Sequence, residues 1–68
     1  MIDSGLGNRL REARTAANLT QADLAERVGV SRKTVNTVEN GVFIPSTLLA
    51  LKLAAALGKS VEDLFYLA

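Results

Sequence analysis

Apolar residues recur along this chain at the three- and four-residue intervals of helices. Near the start, Leu6, Leu10, Ala13 and Ala17 form one such stripe. The pattern predicts five helices and no strand. The predicted helices cover residues 8–17, 21–28, 32–40, 47–57 and 61–65. We therefore expect an all-α fold in which residues 1–68 form one domain.

Hydroxyl side chains stand where these helices should begin. Thr20 and Ser60 are each followed three residues later by an aspartate, which is the spacing of a reciprocal capping box. Ser31 and Ser46 are suited to cap the third and fourth helices. At the other end of the first helix, Asn18 is a residue that tolerates a left-handed stop.

The second and third predicted helices are separated by a tight turn at Gly29, where a residue without a Cβ is favoured. Each has one apolar side, formed by Leu24, Ala25 and Val28 and then by Val35 and Val38. The third helix opens on Arg32 and Lys33. This arrangement predicts a helix-turn-helix that presents side chains to the major groove of DNA. A generic helical bundle or a protein-binding module is the alternative.

Two segments after this unit are strongly apolar. Residues 42–45, VFIP, are expected to fold back onto the bundle, with an exposed partner contact as the alternative. Residues 48–57, LLALKLAAAL, are too short to span a bilayer and contain Lys52. We expect this second segment to be a buried helix.

The composition argues against several classes of function for this protein. There is no cysteine and no histidine, so disulfides, thiolate metal sites and the commonest general base are missing. We expect no cofactor, no metal site and no enzymatic activity. The N-terminal residues, MIDSGLG, lack the basic start and apolar run of a signal peptide, which favours a cytoplasmic location without a membrane partner.

The formal net charge is only +1, but the charge is unevenly distributed. Residues 27–38 contain three basic residues, Arg27, Arg32 and Lys33, and no acidic one. Such a pattern favours specific DNA binding through few phosphate contacts over general binding to polyanions.

Four strings carry a resemblance to a known family: NRLREAR, LTQADLAERVGVSRKTVNTVENG, PSTLLALKLAAALG and SVEDLF. Over about residues 8–65 the chain resembles the Cro and repressor type of helix-turn-helix protein, the Xre family. The resemblance implies a compact five-helix, lambda-repressor-like domain with its third helix in the major groove. It also implies a homodimer on a palindromic operator in double-stranded DNA.

The resemblance also assigns roles to residues. Base reading falls to the exposed side of the third helix, at Arg32, Lys33, Asn36 and Thr37. Phosphate contacts fall to Gln21, Asn40 and Thr34, and Arg11 and Arg9 are candidates for the flanking phosphates. Arg14 and Glu39 are expected to form an ion pair between the first and third helices. Asn40 could instead serve only as a helix terminator, and Thr34 could have a purely structural role.

Several apolar residues are candidates for pairing two subunits: Phe43, Ile44, Phe65, Tyr66 and Leu67. The alternative is that the terminal ones close the core of the monomer. The expected function is a sequence-specific transcriptional repressor. The alternative is an antitoxin-like or adaptor protein whose main partner is another protein and whose DNA binding is autoregulatory. The chain could be a stand-alone regulator or the head of a longer one, and no inducer site can be assigned.

Overall fold

The structure is a computed structural model that describes residues 5–68, in which five helices are joined to a two-stranded sheet. In chain order the elements are β1 (Leu6–Asn8), α1 (Leu10–Ala16), α2 (Gln21–Val28), α3 (Arg32–Glu39), α4 (Thr47–Leu57), α5 (Val61–Leu64) and β2 (Phe65–Leu67). The prediction of a helical fold with five helices is confirmed.

The sheet was not predicted, and the expectation of no strand is wrong. β1 and β2 pair antiparallel, with Leu6 opposite Leu67, Gly7 opposite Tyr66 and Asn8 opposite Phe65. A further bond runs from the Ala68 amide to the Gly5 carbonyl at 2.9 Å. Strands of three residues are too short to show a period of two, and these two pair across almost the whole chain. The first helix consequently begins at Leu10 and the last ends at Leu64.

Asn8 joins the sheet to the helices. Its side-chain Oδ1 accepts a hydrogen bond from the Leu10 amide at 3.2 Å, which satisfies one of the open amides at the start of α1. Its Nδ2 donates to the Val38 carbonyl near the end of α3, at 3.1 Å. One side chain therefore sets the start of α1 against the end of α3.

The predicted caps are present. The Thr20 and Asp23 pair closes a capping box at the start of α2, and Ser60 does the same with Asp63 at α5. Ser31 accepts from the Thr34 amide and Ser46 from the Leu49 amide. Gly29 ends α2 in the left-handed conformation, with φ of 77°. Asn18, with φ of 59°, supplies the left-handed stop expected after α1.

The core lies between the helices. Its members share near-complete burial and are Leu10, Leu24, Ala25, Val28, Val35, Val38, Leu49, Ala50, Leu53, Ala54, Leu64 and Phe65. Ala25 is suited to the close approach of α2 and α3 because its side chain is small. Through these contacts α3 has its apolar side fixed against the rest of the helices.

Two predictions of burial need correction. In α4, Leu48 and Leu51 are more than half exposed, although Leu49 and Leu53 are buried as expected. The charged Lys52 is also exposed, and Leu48, one turn before it, lies on the same face of the helix. The segment after α3 is exposed rather than folded back, with Val42, Phe43 and Ile44 at 65%, 47% and 56% exposure. Among the described residues, no helix is both long enough and apolar enough to cross a membrane.

Candidate nucleic-acid interface

The outer side of α3 carries the residues predicted to read bases. Val35 and Val38 bury the inner side of the helix, and Ser31 caps its start. Arg32, Lys33 and Asn36 are exposed to solvent. The arrangement leaves two cationic side chains at the leading end of a helix whose position is fixed by the core.

The two threonines of α3 are half-buried and already engaged. The Thr37 hydroxyl donates to the Thr34 carbonyl at 3.0 Å, and the Thr34 hydroxyl shares a hydrogen bond with that of Ser31 at 3.0 Å. The Thr37 carbonyl accepts from the amides of Val42 and Phe43, which closes the end of the helix. Both hydroxyls therefore support α3 in the free protein. Base reading by Thr37 and a phosphate contact by Thr34 stay predictions.

Glu39, the last residue of α3, connects the interface to α1. The Arg14 guanidinium donates from Nε to Glu39 Oε2 at 2.6 Å and from Nη2 to Oε1 at 3.3 Å. Its third group, Nη1, donates to the Leu19 carbonyl at 2.9 Å. The structure thus brings together the pair predicted between the first and third helices. The two-point geometry of this pair restricts the angle of α3 relative to α1.

Three residues predicted to contact phosphates lie at or next to the Glu39 carboxylate. Gln21, at the start of α2, donates from Nε2 to Glu39 Oε1 at 3.1 Å. Arg11 donates from Nε to the same oxygen at 3.3 Å and from Nη2 to Asn40 Oδ1 at 3.0 Å. The Nδ2 atom of Asn40 donates to the Asn36 backbone carbonyl at 2.9 Å. Arg11, Gln21 and Asn40 therefore form one cluster around Glu39.

The carboxyl group of Glu39 is held in its charged form. Burial raises its pKa, but hydrogen bonds from Arg14, Gln21 and Arg11 and the charge of Arg14 outweigh that effect, so the pKa lies below its ordinary value. The side chain itself is 0% exposed. A buried anion thus stands among groups predicted to bind the anionic backbone of DNA.

Arg9 is placed away from this cluster. Its guanidinium carbon lies 4.2 Å from the centre of the Tyr66 ring, a cation–π geometry. It also borders a shallow hollow shared with Lys59 and Asp63. Arg9 was expected to bind a phosphate and Tyr66 to pair subunits, but in this structure the two side chains pack against each other. Both roles stay predictions.

The residues considered for subunit pairing divide into two groups. Phe43, Ile44 and Tyr66 are between 41% and 56% exposed and Leu67 is 92% exposed, whereas Phe65 belongs to the core at 8%. The alternative that the end of the chain closes the monomer core therefore holds for Leu64 and Phe65. Sequence reasoning missed Leu48 and Leu51, although the charged Lys52, one turn after Leu48 and next to Leu51, indicated the exposed face of α4.

The sequence profile of the helix-turn-helix family matches residues 10–64. Among related sequences, an uncharacterized HTH-type transcriptional regulator from Methanocaldococcus jannaschii is 47% identical over 58 residues, covering 85% of this chain and 88% of the relative.

Two solved structures share the fold. The restriction-modification controller protein C.AhdI from Aeromonas hydrophila is 44% identical, with a TM-score of 0.77 over 81% of this chain and 83% of that one. The P22 c2 repressor, solved with a synthetic operator, is 31% identical, with a TM-score of 0.77 over 79% and 82%. The predicted lambda-repressor-like fold is confirmed. The chain belongs to the Xre-type helix-turn-helix family of DNA-binding transcriptional regulators, which are not enzymes.

Proposed function

We propose that this protein is a sequence-specific repressor that binds a palindromic operator as a homodimer, with α3 in the major groove. The observation that carries the proposal is the exposure of Arg32 and Lys33 on the first turn of a helix whose other side is buried. A helix held in this way can enter the groove without rearrangement of the core.

Base recognition would begin at the leading end of α3. The Arg32 guanidinium can donate two parallel hydrogen bonds to a guanine edge, and Lys33 can donate to the same acceptors with less directional preference. Asn36, one turn further along, can reach an adenine edge. Three side chains of this kind would specify a short half-site.

Phosphate binding would flank the reading helix. The start of α2 favours an anion near Gln21 because its first amides have no partner within the helix. Arg11 and Asn40 lie close by and would extend the contact along the DNA backbone. A small number of phosphate contacts is consistent with a net charge of only +1. Binding as two copies would then increase the affinity.

The second copy would cover an exposed apolar groove. Its apolar lining consists of Leu6, Ile44, Pro45, Ala50, Leu51, Val61 and Phe65, and Thr47 and Glu62 complete its edge. A surface of this kind is costly to leave in water, and a two-fold pairing buries the same surface on both subunits. We propose that the groove pairs two subunits so that their α3 helices enter successive major grooves about 34 Å apart. Such a protein would act in the compartment that holds the DNA.

Selection of bound duplexes from a random pool, followed by anisotropy titration and sedimentation of the complex, tests the proposal. We expect enrichment of an inverted repeat whose half-sites are one helical turn apart, and two protomers per duplex. Failure to enrich any sequence would contradict it, as would a single half-site bound by one protomer.

The exposed groove also favours the second candidate, an adaptor or antitoxin whose main partner is a protein. Recovery of one stoichiometric protein partner from cell extract, combined with weak binding to every duplex, would support that function in place of the first.

A further inference from the structure

Glu39 presents an electrostatic contradiction within the proposed interface. Its carboxylate lies among Arg11, Gln21 and Asn40, which are the groups proposed to meet DNA phosphates. By charge alone, an anion at this place weakens DNA binding, because like charges repel at short range. Arg14 alone does not explain why Glu39 also contacts Arg11 and Gln21, because Arg14 has a second acceptor in the Leu19 carbonyl.

The hydrogen bonds of Glu39 are of two kinds. Those from Arg14 are internal, because the Arg14 side chain is only 11% exposed. Those from Arg11 and Gln21 come from an exposed side chain and a half-buried one, respectively. Arg11 is 54% exposed and uses Nε and Nη2 for Glu39 and Asn40. A guanidinium has five N–H groups, so Arg11 is held at two points and still has donors for another anion.

Gln21 is restrained in the same way from a different element. Its Nε2 donates to the same Glu39 oxygen as Arg11 Nε, at 3.1 Å. One carboxylate oxygen therefore fixes side chains from α1 and α2 relative to the end of α3. Free arginine and glutamine side chains would lose rotamer freedom on binding DNA, and a side chain already held in place loses less.

From this geometry we propose that Glu39 is a positioning residue for DNA binding. It holds Arg11 and Gln21, and through Arg11 also Asn40, in the arrangement that receives the phosphate backbone. This inference rests on the proposed function, and it adds that one buried anion increases affinity for a polyanion.

The test compares Glu39→Gln with Glu12→Gln, both titrated against the selected operator and a scrambled duplex at several salt concentrations. Glu12 is an exposed residue of α1, so its variant removes the same charge without disturbing the cluster. We expect Glu39→Gln to bind both duplexes on the order of tenfold more weakly, with a salt slope shallower by about one. We expect Glu12→Gln to bind as tightly as the wild type or slightly more tightly. Thermal melting and NMR spectra of each variant establish the folded fraction used in the titration.

A second variant covers the case in which Glu39→Gln does not fold. Arg11→Lys keeps the positive charge and leaves the Arg14–Glu39 pair intact, but an ammonium group cannot reproduce the planar two-point contact. We expect Arg11→Lys to bind nearly as weakly as Arg11→Gln.

The inference is overturned if folded Glu39→Gln binds DNA as tightly as the wild type or more tightly, or if Arg11→Lys matches the wild type. In those cases the proposed function stands, because the wild type still binds its operator. If the wild type binds no duplex, the proposed function and this inference both fail.

Discussion

At the scale of single residues, Gly7 and Tyr66 depend on each other. They face each other across the sheet, and a Cβ on Gly7 would overlap the Tyr66 ring. Arg9, two residues along the chain, places its guanidinium over the same ring. The Tyr66 ring therefore contacts both the Gly7 backbone and the Arg9 guanidinium. Its contact with the backbone requires glycine at position 7.

We predict that Gly7→Ala lowers the free energy of unfolding by about 0.5–1.5 kcal/mol, because the ring must move away and leave Arg9. Chemical denaturation of Gly7→Ala, Tyr66→Ala and the double variant measures the coupling. In the Tyr66→Ala background the alanine at position 7 should cost little. An equal cost in both backgrounds would contradict the proposed dependence on the Tyr66 ring.

Arg32 is the residue most directly tied to base reading. We predict that Arg32→Ala costs about 1–3 kcal/mol in binding to the operator and relaxes the preference at one base pair. Titration against single-base variants of the operator measures both effects. Lys52→Ala removes an exposed cation from α4, outside the basic stretch of residues 27–38, and serves as the control. An equal loss on every duplex would make Arg32 a phosphate contact.

The exposure of Arg32, Lys33 and Asn36 could be predicted from the sequence because Ser31 fixes where α3 begins and Val35 and Val38 fix its buried side. Thr37 was also expected on the exposed side but is half-buried. The Gly7–Tyr66 contact could not be predicted. It joins residues far apart in the chain, and neither residue type indicates its partner. The same holds for the link from Gln21 to Glu39, which depends on the angle between α2 and α3.

At the scale of elements, the helix starts are set by local side chains. At α2, the Thr20 amide donates to Asp23 at 2.9 Å and the Asp23 amide donates to Thr20 Oγ1 at 3.0 Å. Hydrogen bonds from the Thr20 backbone and hydroxyl, aided by Arg27, hold the pKa of Asp23 below its ordinary value. The charged form of Asp23 thus favours the folded state.

We predict that Asp23→Asn is less stable than the wild type at neutral pH and that the difference shrinks in acid. The direction follows from the lowered pKa: the carboxylate stabilises the fold above its unfolded pKa of about 4, and this contribution is lost as the pH falls through the folded value. Urea unfolding between pH 2.5 and 7 measures the difference. A constant difference for Asp23→Asn would contradict the linkage.

The boundaries of helices with such caps could be predicted to within one residue, as α2 and α3 show. The hairpin was not predictable, because three-residue strands show no period of two and their pairing depends on how the helices bring β1 and β2 together. The exposed side of α4 was indicated only by Lys52. The leucines of this helix are alike in sequence, and its packing against α2 and α5 decides which of them are covered.

At the scale of the whole molecule, the apolar groove and the reading helix must work together if the protein binds as a pair. We predict that Leu51→Glu shifts the protein to a monomer and weakens operator binding at least about tenfold, because one half-site is bound without the other. Sedimentation velocity and anisotropy titration measure the two effects.

Ala55→Glu is the matched control, since it adds the same charge at an exposed position of α4 that borders a different hollow. This variant should remain dimeric and bind like the wild type. A dimeric Leu51→Glu would place the subunit interface elsewhere.

The pairing of β1 with β2 has a consequence for how the polypeptide could be rewired. Because Gly5 and Ala68 are hydrogen-bonded neighbours, a short linker could connect these two residues, and a new start and finish could be opened in the exposed segment between α3 and α4. Such a circular permutant would keep every helix in place while reversing which half of the molecule is synthesised first.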